Sequence, residues 1–382
     1  MSRKILTAES VCEGHPDKLC DLIADAILDE CLRNDPYSRV ACEVLATHSK
    51  ICVAGELTTS SQVDYMKVVK NTLSDVGYEP YEYKIEIDIH EQSPDIDGGV
   101  TKKDGTLGAG DQGVVYGFAC DETGSLLPLP VVLANSITKT IDTMRHTGEL
   151  DGFKPDGKCL VSVEYEDDVP IRISDIVISV QHDEKLSLEE VEARISSVVL
   201  PRVFKHYPID AKTRILINPS GRFVVGGPEA DTGLTGRKLM CDTYGGLAHH
   251  GGGAFSGKDA TKVDRSAAYY ARYVAKHIVA TELAKKCEVC VTYAIGKAEP
   301  VAIEIDTFGT GTFTTDELLE AVNDTFDFTP YGIIEQLKLR EPIFTQTTRY
   351  GHFTNQALPY EQLDKVNNLL GHMIFGKEYT DK

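Results

Sequence analysis

Residues Gly251 to Asp259 read GGGAFSGKD, and ATKVDRSAAYYARYVAKHIVA carries the chain on to Ala280. Six glycines fall between Gly245 and Lys258. Glycine admits left-handed backbone and lets N–H groups approach a ligand closely. Lys258 and Lys262 stand four residues apart, and Asp264 and Arg265 follow. Ala267, Ala271, Val274, Ala275, Ile278 and Val279 then recur at helical spacing. A glycine loop, lysines and a helix start together suit phosphate oxygens, because a helix N-terminus offers free N–H donors and positive dipole. Gly252 to Lys258 meets the G-x-x-x-x-G-K pattern of a P-loop, but Asp259 stands where a Ser or Thr should hold magnesium. A carboxylate facing phosphates would repel them unless a metal intervened. The alternative is a glycine-rich surface loop, and polyphosphate binding is the favoured reading.

The rest of the chain alternates short strands with helices. ESVCEGHPDKLCDLIADAILDECL, from Glu9, carries apolar residues at Leu19, Leu22, Ile23, Ala26 and Ile27, an amphipathic helix entered through Gly14, His15 and Pro16. His15 and Asp17 at its mouth serve either as ordinary helix-entry groups or as an imidazole and a metal ligand at a phosphate site. RVACEVLAT and KICVAGELTT predict two strands, each with one glutamate, Glu43 and Glu56. A carboxylate in an apolar strand needs a partner or must face solvent. SQVDYMKVVKNTLSDVG predicts a helix ending at Gly77. YKIEIDIH predicts a half-buried strand. Glu91 to Gly113 is rich in Gly and Asp and reads as a long connection, either a functional lid or merely a mobile loop. LPLPVVLANSITKTIDTMRHTG predicts a helix stopping near Gly148. CLVSVEYE, IRISDIVISVQHD and RILINP read as strands. Ser187 and Glu190 form a capping box opening a helix expected to stop at Pro201. Thr314 and Glu317 open another. Asn218 to Lys238 is loop-rich and carries Arg222, Phe223, Asp231, Arg237 and Lys238. The mixed order predicts an α+β fold in place of a regular βαβ sheet.

Composition narrows the function. The 382 residues allow two or three domains. A net charge of −20 argues against a nucleic-acid partner and makes the basic cluster Arg237, Lys238, Lys258, Lys262 and Arg265 informative: it suits a small anion. No apolar run reaches the length of a membrane span. Ten cysteines without a disulfide pattern fit a cytoplasmic protein, and Cys287 and Cys290 read as buried small hydrophobes.

With GHPDK, QSPDI, GAGDQG, GRFVVGG, TGLTGRK and GGGAFSGKD–KVDRSAAY in view, the chain resembles the S-adenosylmethionine synthase (methionine adenosyltransferase) family nearly end to end. The resemblance implies three interleaved α+β domains related by a pseudo-threefold axis, with sequence segments 1–98, 108–226 and 227–382. It implies ATP and L-methionine as substrates, two Mg2+ per active site and K+. It also implies a homodimer with shared active sites, paired into a homotetramer. Carried over by motif, His15 contacts the triphosphate, while Asp17 and Asp264 bind magnesium. Lys158, Arg237, Lys238, Lys258 and Lys262 hold phosphate oxygens. Asp156, Arg222, Phe223, Asp231 and Ala254 line the nucleotide site. Glu56, Gln92, Asp111, Asp231 and Lys262 serve methionine, and Glu43 binds potassium. Gln92 to about Lys102 forms a lid. KPDGKCLVS, from Lys154, departs from the RPDAK pattern common in the family but keeps Lys158. Two other readings remain at this point: an ordinary P-loop ATPase, and a nucleotide sensor that binds both substrates without turnover.

Overall fold

The computed structural model describes residues 3–92 and 107–376. Three sheets organise them. The first holds β1 (Arg3–Val11), β6 (Phe153–Glu166), β7 (Val169–His182) and β8 (Arg214–Ile217), in the order β1-β6-β7-β8. The second is β11 (Ala302–Asp306), β10 (Lys286–Tyr293) and β5 (Gly113–Cys120). The third is β4 (Lys84–His90), β3 (Lys50–Thr58), β2 (Arg39–Thr47) and β9 (Gly233–Leu234). Each sheet recruits a strand from a distant part of the chain. The N-terminal β1 pairs antiparallel with β6, β5 with β10, and β9 with β2. The fold is α+β and its units are interlocked.

One long helix covers each sheet. These are α1 (Pro16–Asn34) on β2, α3 (Leu129–His146) on β1 and β6, and α5 (Val263–Ala280) on β5 and β10. The shorter helices are α2 (Tyr65–Val76), α4 (Leu188–Arg194), α6 (Thr315–Thr325), α7 (Pro330–Gln336) and α8 (Val366–Phe375). A core of α3 and α4 residues fills the first sheet's inner face, and a larger core joins the other two sheets. Both capping boxes form, at Ser187–Glu190 and Thr314–Glu317. Gly77 ends α2 at φ 104°, a left-handed angle that glycine takes without strain.

One local expectation fails. The helix opened by Ser187 does not stop at Pro201. A π-helical stretch, Ile195–Val199, widens the backbone, and a last helical turn, Leu200–Val203, carries the proline. Widening relieves the clash and the missing N–H that proline brings to a regular helix. KPDGK lies within β6, where the pairing with β7 shifts register between Phe153 and Gly157. Of the stretch read as a lid, only Gln92 falls within the described residues.

Candidate active site

The mouth of α1 gathers the first group of candidates. His15 caps the helix, its Nδ1 accepting the Asp17 N–H at 3.2 Å. The ring proton therefore sits on Nε2. Burial first, then Lys238 and Lys158, pushes the His15 pKa down to about 3 against the pull of Asp17, so the ring is neutral. Asp17 is 2% exposed. Its Oδ1 accepts the Leu234 N–H at 3.0 Å and lies 3.5 Å from Arg237 Nε; its Oδ2 accepts Lys238 Nζ at 2.6 Å. Burial opposes ionisation, but Lys238 and the Leu234 amide outweigh it and hold the carboxyl below its usual range. Asp156, on β6, accepts the Gly227 N–H at 2.8 Å, and burial raises its pKa to about 6. Asp231, exposed, adds to that rise. Phe223 is half-buried, its amide donating to His182 Nε2 at 3.2 Å. Lys158 is exposed on β6. Arg222 is exposed and lies 3.6 Å from Glu184.

A second group forms around the glycine stretch. Lys258 Nζ donates to Asp264 Oδ2 at 2.7 Å. Asp264 crowds Gly253 so closely that a Cβ there would lie 2.4 Å from its Cγ. Glu43 stands near Lys258, Asp21 and Glu56. Of the two readings open for the strand glutamates, a buried partner or a solvent-facing position, the second holds. Glu43 and Glu56 are exposed on the face of the third sheet turned away from α1, although the surrounding protein still raises the Glu43 pKa. Glu56 lies 3.4 Å from His90, and the Gln92 amide meets Thr58 Oγ1 at 3.4 Å. Asp111 is exposed and accepts the Gln112 N–H at 2.7 Å; its neighbour Gly110 donates to the Thr261 carbonyl at 3.1 Å. Ala254 packs against the backbone of Gly236, near the first group. Among the described residues no hydrogen bond or ion pair joins the two groups, and no cluster of three or more His, Cys, Asp or Glu is placed to hold a metal.

Asp259 turns away from any phosphate. It is 2% exposed, accepts N–H bonds from Val40 at 2.7 Å and Thr261 at 2.9 Å, and pairs with Lys262. The segment before it pairs with β2: Cys42 N–H donates to the Gly257 carbonyl at 2.9 Å, and Asp259 N–H to the Val40 carbonyl at 3.1 Å. Gly257 takes φ 79°, and a Cβ there would lie 2.0 Å from the Cys42 oxygen. A P-loop cradles phosphate with its backbone N–H groups. Here Gly257 N–H goes to Asp25 Oδ1, Lys258 N–H to Phe255 and Asp259 N–H to Val40. The P-loop reading is thereby corrected. Arg265 also leaves the cationic cluster, since it is fully buried with both terminal nitrogens on Asp25, at 2.7 and 2.8 Å.

Sequence reading missed the device beneath both groups. Asp17, Asp21, Asp25 and Asp29 recur every four residues along one face of α1, and all four are buried. Asp21 accepts the Gly236 N–H at 2.8 Å and pairs with Lys18, which also pairs with Asp242. Asp25 binds Gly257 N–H, Arg265 and Thr348; Asp29 binds the N–H groups of Phe344 and Thr345. The stripe fastens loops from the C-terminal half onto α1. Its four-residue period was the available signal.

Comparison with known proteins agrees with this architecture. Family models match residues 3–96 (S-adenosylmethionine synthetase, N-terminal domain), 106–223 (central domain) and 225–362 (C-terminal domain). The S-adenosylmethionine synthase of Clostridium botulinum (strain Alaska E43 / Type E3) is 50% identical over 386 aligned residues, which span 96% of this chain and 99% of that protein. Fold and matches together define a three-domain α+β methionine adenosyltransferase. The chain belongs to the S-adenosylmethionine synthetase family.

Proposed function

We propose that the chain makes S-adenosylmethionine by attack of the methionine sulfur on C5′ of ATP, then hydrolyses the released triphosphate to pyrophosphate and phosphate. The observation that carries this reading is the mouth of α1: a neutral His15 beside an ionised Asp17 and the cation of Lys238. A thioether sulfur has no proton to lose, so the step needs no general base. It needs alignment, and stabilisation of charge gathering on the triphosphate. His15 Nε2–H donates to the departing oxygen. Arg237, Lys238 and Lys158 hold phosphate oxygens, as do Lys258 and Lys262.

Asp17 and Asp264 are single carboxylates beside lysines, which suits Mg2+ held mainly by phosphates and water. Two Mg2+ ions, when bound, would neutralise the triphosphate and hold the hydrolytic water. Glu43 would bind K+. Asp156, Arg222, Phe223, Asp231 and Ala254 line the nucleotide site; Arg222 reaches it by leaving Glu184. Glu56, Gln92, Asp111, Asp231 and Lys262 receive methionine.

We propose that a homodimer completes each site from both copies, and that dimers pair into a tetramer. The half-exposed Ala41, Leu45, Cys52 and Ala54 beside Glu43 and Glu56 offer a face for such pairing. We assign domain segments 1–98, 108–226 and 227–382. Ten unpaired cysteines support a reducing, cytoplasmic setting, and among the described residues no helix is long and apolar enough to cross a membrane.

The test is a product balance with ATP, methionine, magnesium and potassium. S-adenosylmethionine, pyrophosphate and phosphate appearing together, and only with methionine, is the expected result. ADP in their place would return the chain to nucleotide hydrolysis. Binding of both substrates without turnover would make it a sensor.

A further inference from the structure

Behind His15 lies a buried ionic network that the reaction above does not use. Glu13, two residues before His15, is 2% exposed. Its Oε1 accepts Arg145 NH2 at 2.7 Å and pairs with His146 Nε2; its Oε2 lies 3.1 Å from Arg349 Nε. Its own N–H donates to Asp142 Oδ2 at 2.9 Å, and Asp142 is fully buried. The turn carrying His15 is held on further sides. Cys12 N–H donates to the Gly157 carbonyl at 2.9 Å, His15 N–H to the Cys12 carbonyl at 3.1 Å, and Tyr78 OH to the Gly14 carbonyl at 2.5 Å. Gly14 lies flat on Pro155, where a Cβ would come within 2.2 Å.

We propose that Glu13 is the positioning residue of the reaction. Its carboxylate, clamped by Arg145 and Arg349, fixes the Cys12–His15 turn on α3 and the 349 loop, so that the His15 imidazole is held at its helix-capping position before substrate binds. Three segments of the chain converge on this one side chain. A cap held only by its local hydrogen bonds could swing as the turn relaxed. A small displacement of an aligning group is costly in turnover. Two guanidinium groups on one buried carboxylate also offset the cost of its desolvation. Glu13 touches no substrate, and its effect passes through His15.

The inference rests on the role given to His15, and the test separates the two. Glu13→Gln keeps the shape and removes the charge. Kinetics are measured for Glu13→Gln, His15→Asn and the double variant, with thermal unfolding of each. The expected result is a kcat lowered about 10- to 100-fold in Glu13→Gln with little change in KM for either substrate. In the His15→Asn background the same change costs far less, because the group it positions is gone. Equal losses in both backgrounds, an unchanged kcat or an effect on KM alone would overturn the proposal. Full activity of His15→Asn would instead overturn the role of His15. Should Glu13→Gln not fold, Arg349→Met runs the same cycle; the Arg349 side chain is 38% exposed, so its loss leaves the fold standing.

Discussion

Asp17 and Asp259 are both 2% exposed, and each is paired with a lysine at a glycine-bearing turn. They differ in how their oxygens are used. Asp259 accepts from Val40, from the amide and hydroxyl of Thr261 and from Lys262, so its hydrogen-bonding capacity is consumed inside the fold. Asp17 accepts one amide, from Leu234, and one ammonium, from Lys238, at the N-terminus of α1. A carboxylate satisfied by backbone is scaffold. A carboxylate satisfied by a side chain that can move aside is available for a ligand. The sequence motif around Asp259 looks more like a metal-and-phosphate site, yet it is the carboxylate of the plainer motif, Asp17, that the proposed function assigns to magnesium.

The comparison breaks first at Asp259→Ser, which completes the P-loop pattern. It should create no ATPase and should destabilise the fold by about 3–5 kcal/mol, because Lys262 loses its buried partner; unfolding in denaturant measures this, and a stable variant with methionine-independent ATP hydrolysis would reverse the assignment. Next is Lys258→Met, which takes from Asp264 its lysine partner and removes the proposed phosphate contact. Turnover should fall about 10²-fold, as for loss of one group stabilising transition-state charge, with a modest change in unfolding midpoint.

A third effect is one of pH. Burial raises the Asp156 pKa from 3.8 to about 6, so between these values the folded chain binds a proton that the unfolded chain has released. Stability attributable to this group is therefore greatest at low pH and is lost as pH rises through 6, on the order of 3 kcal/mol at full linkage. In Asp156→Asn that part of the decline from pH 4 to 7 should disappear. An identical pH profile in the variant would show that the Asp156 carboxyl is not destabilised by burial.

The same contrast explains what the sequence made legible. Elements written in local chemistry were readable: α1 from its apolar period, the capping boxes at Ser187 and Thr314, and the paired strands carrying Glu43 and Glu56. What depended on distant partners was not. Arg265 reads as a surface cation until Asp25, 240 residues away, is placed beside it. Asp259 reads as a phosphate-facing group until Val40 supplies its amide. Nothing near β1 says that it will pair with β6. Pro201 read as a stop because a π-helical turn leaves no local signature. Of the site, the residue types and motifs were visible in the sequence, whereas their division into two groups required coordinates.

The most direct measurement is the turnover of Asp17→Asn at saturating ATP, methionine and magnesium, on protein whose unfolding midpoint is checked in parallel. Loss of about 10²–10³-fold in kcat with the fold intact is the predicted result, the scale of removing one preorganised electrostatic group. Wild-type turnover in that variant would contradict the placement of the reaction at the mouth of α1.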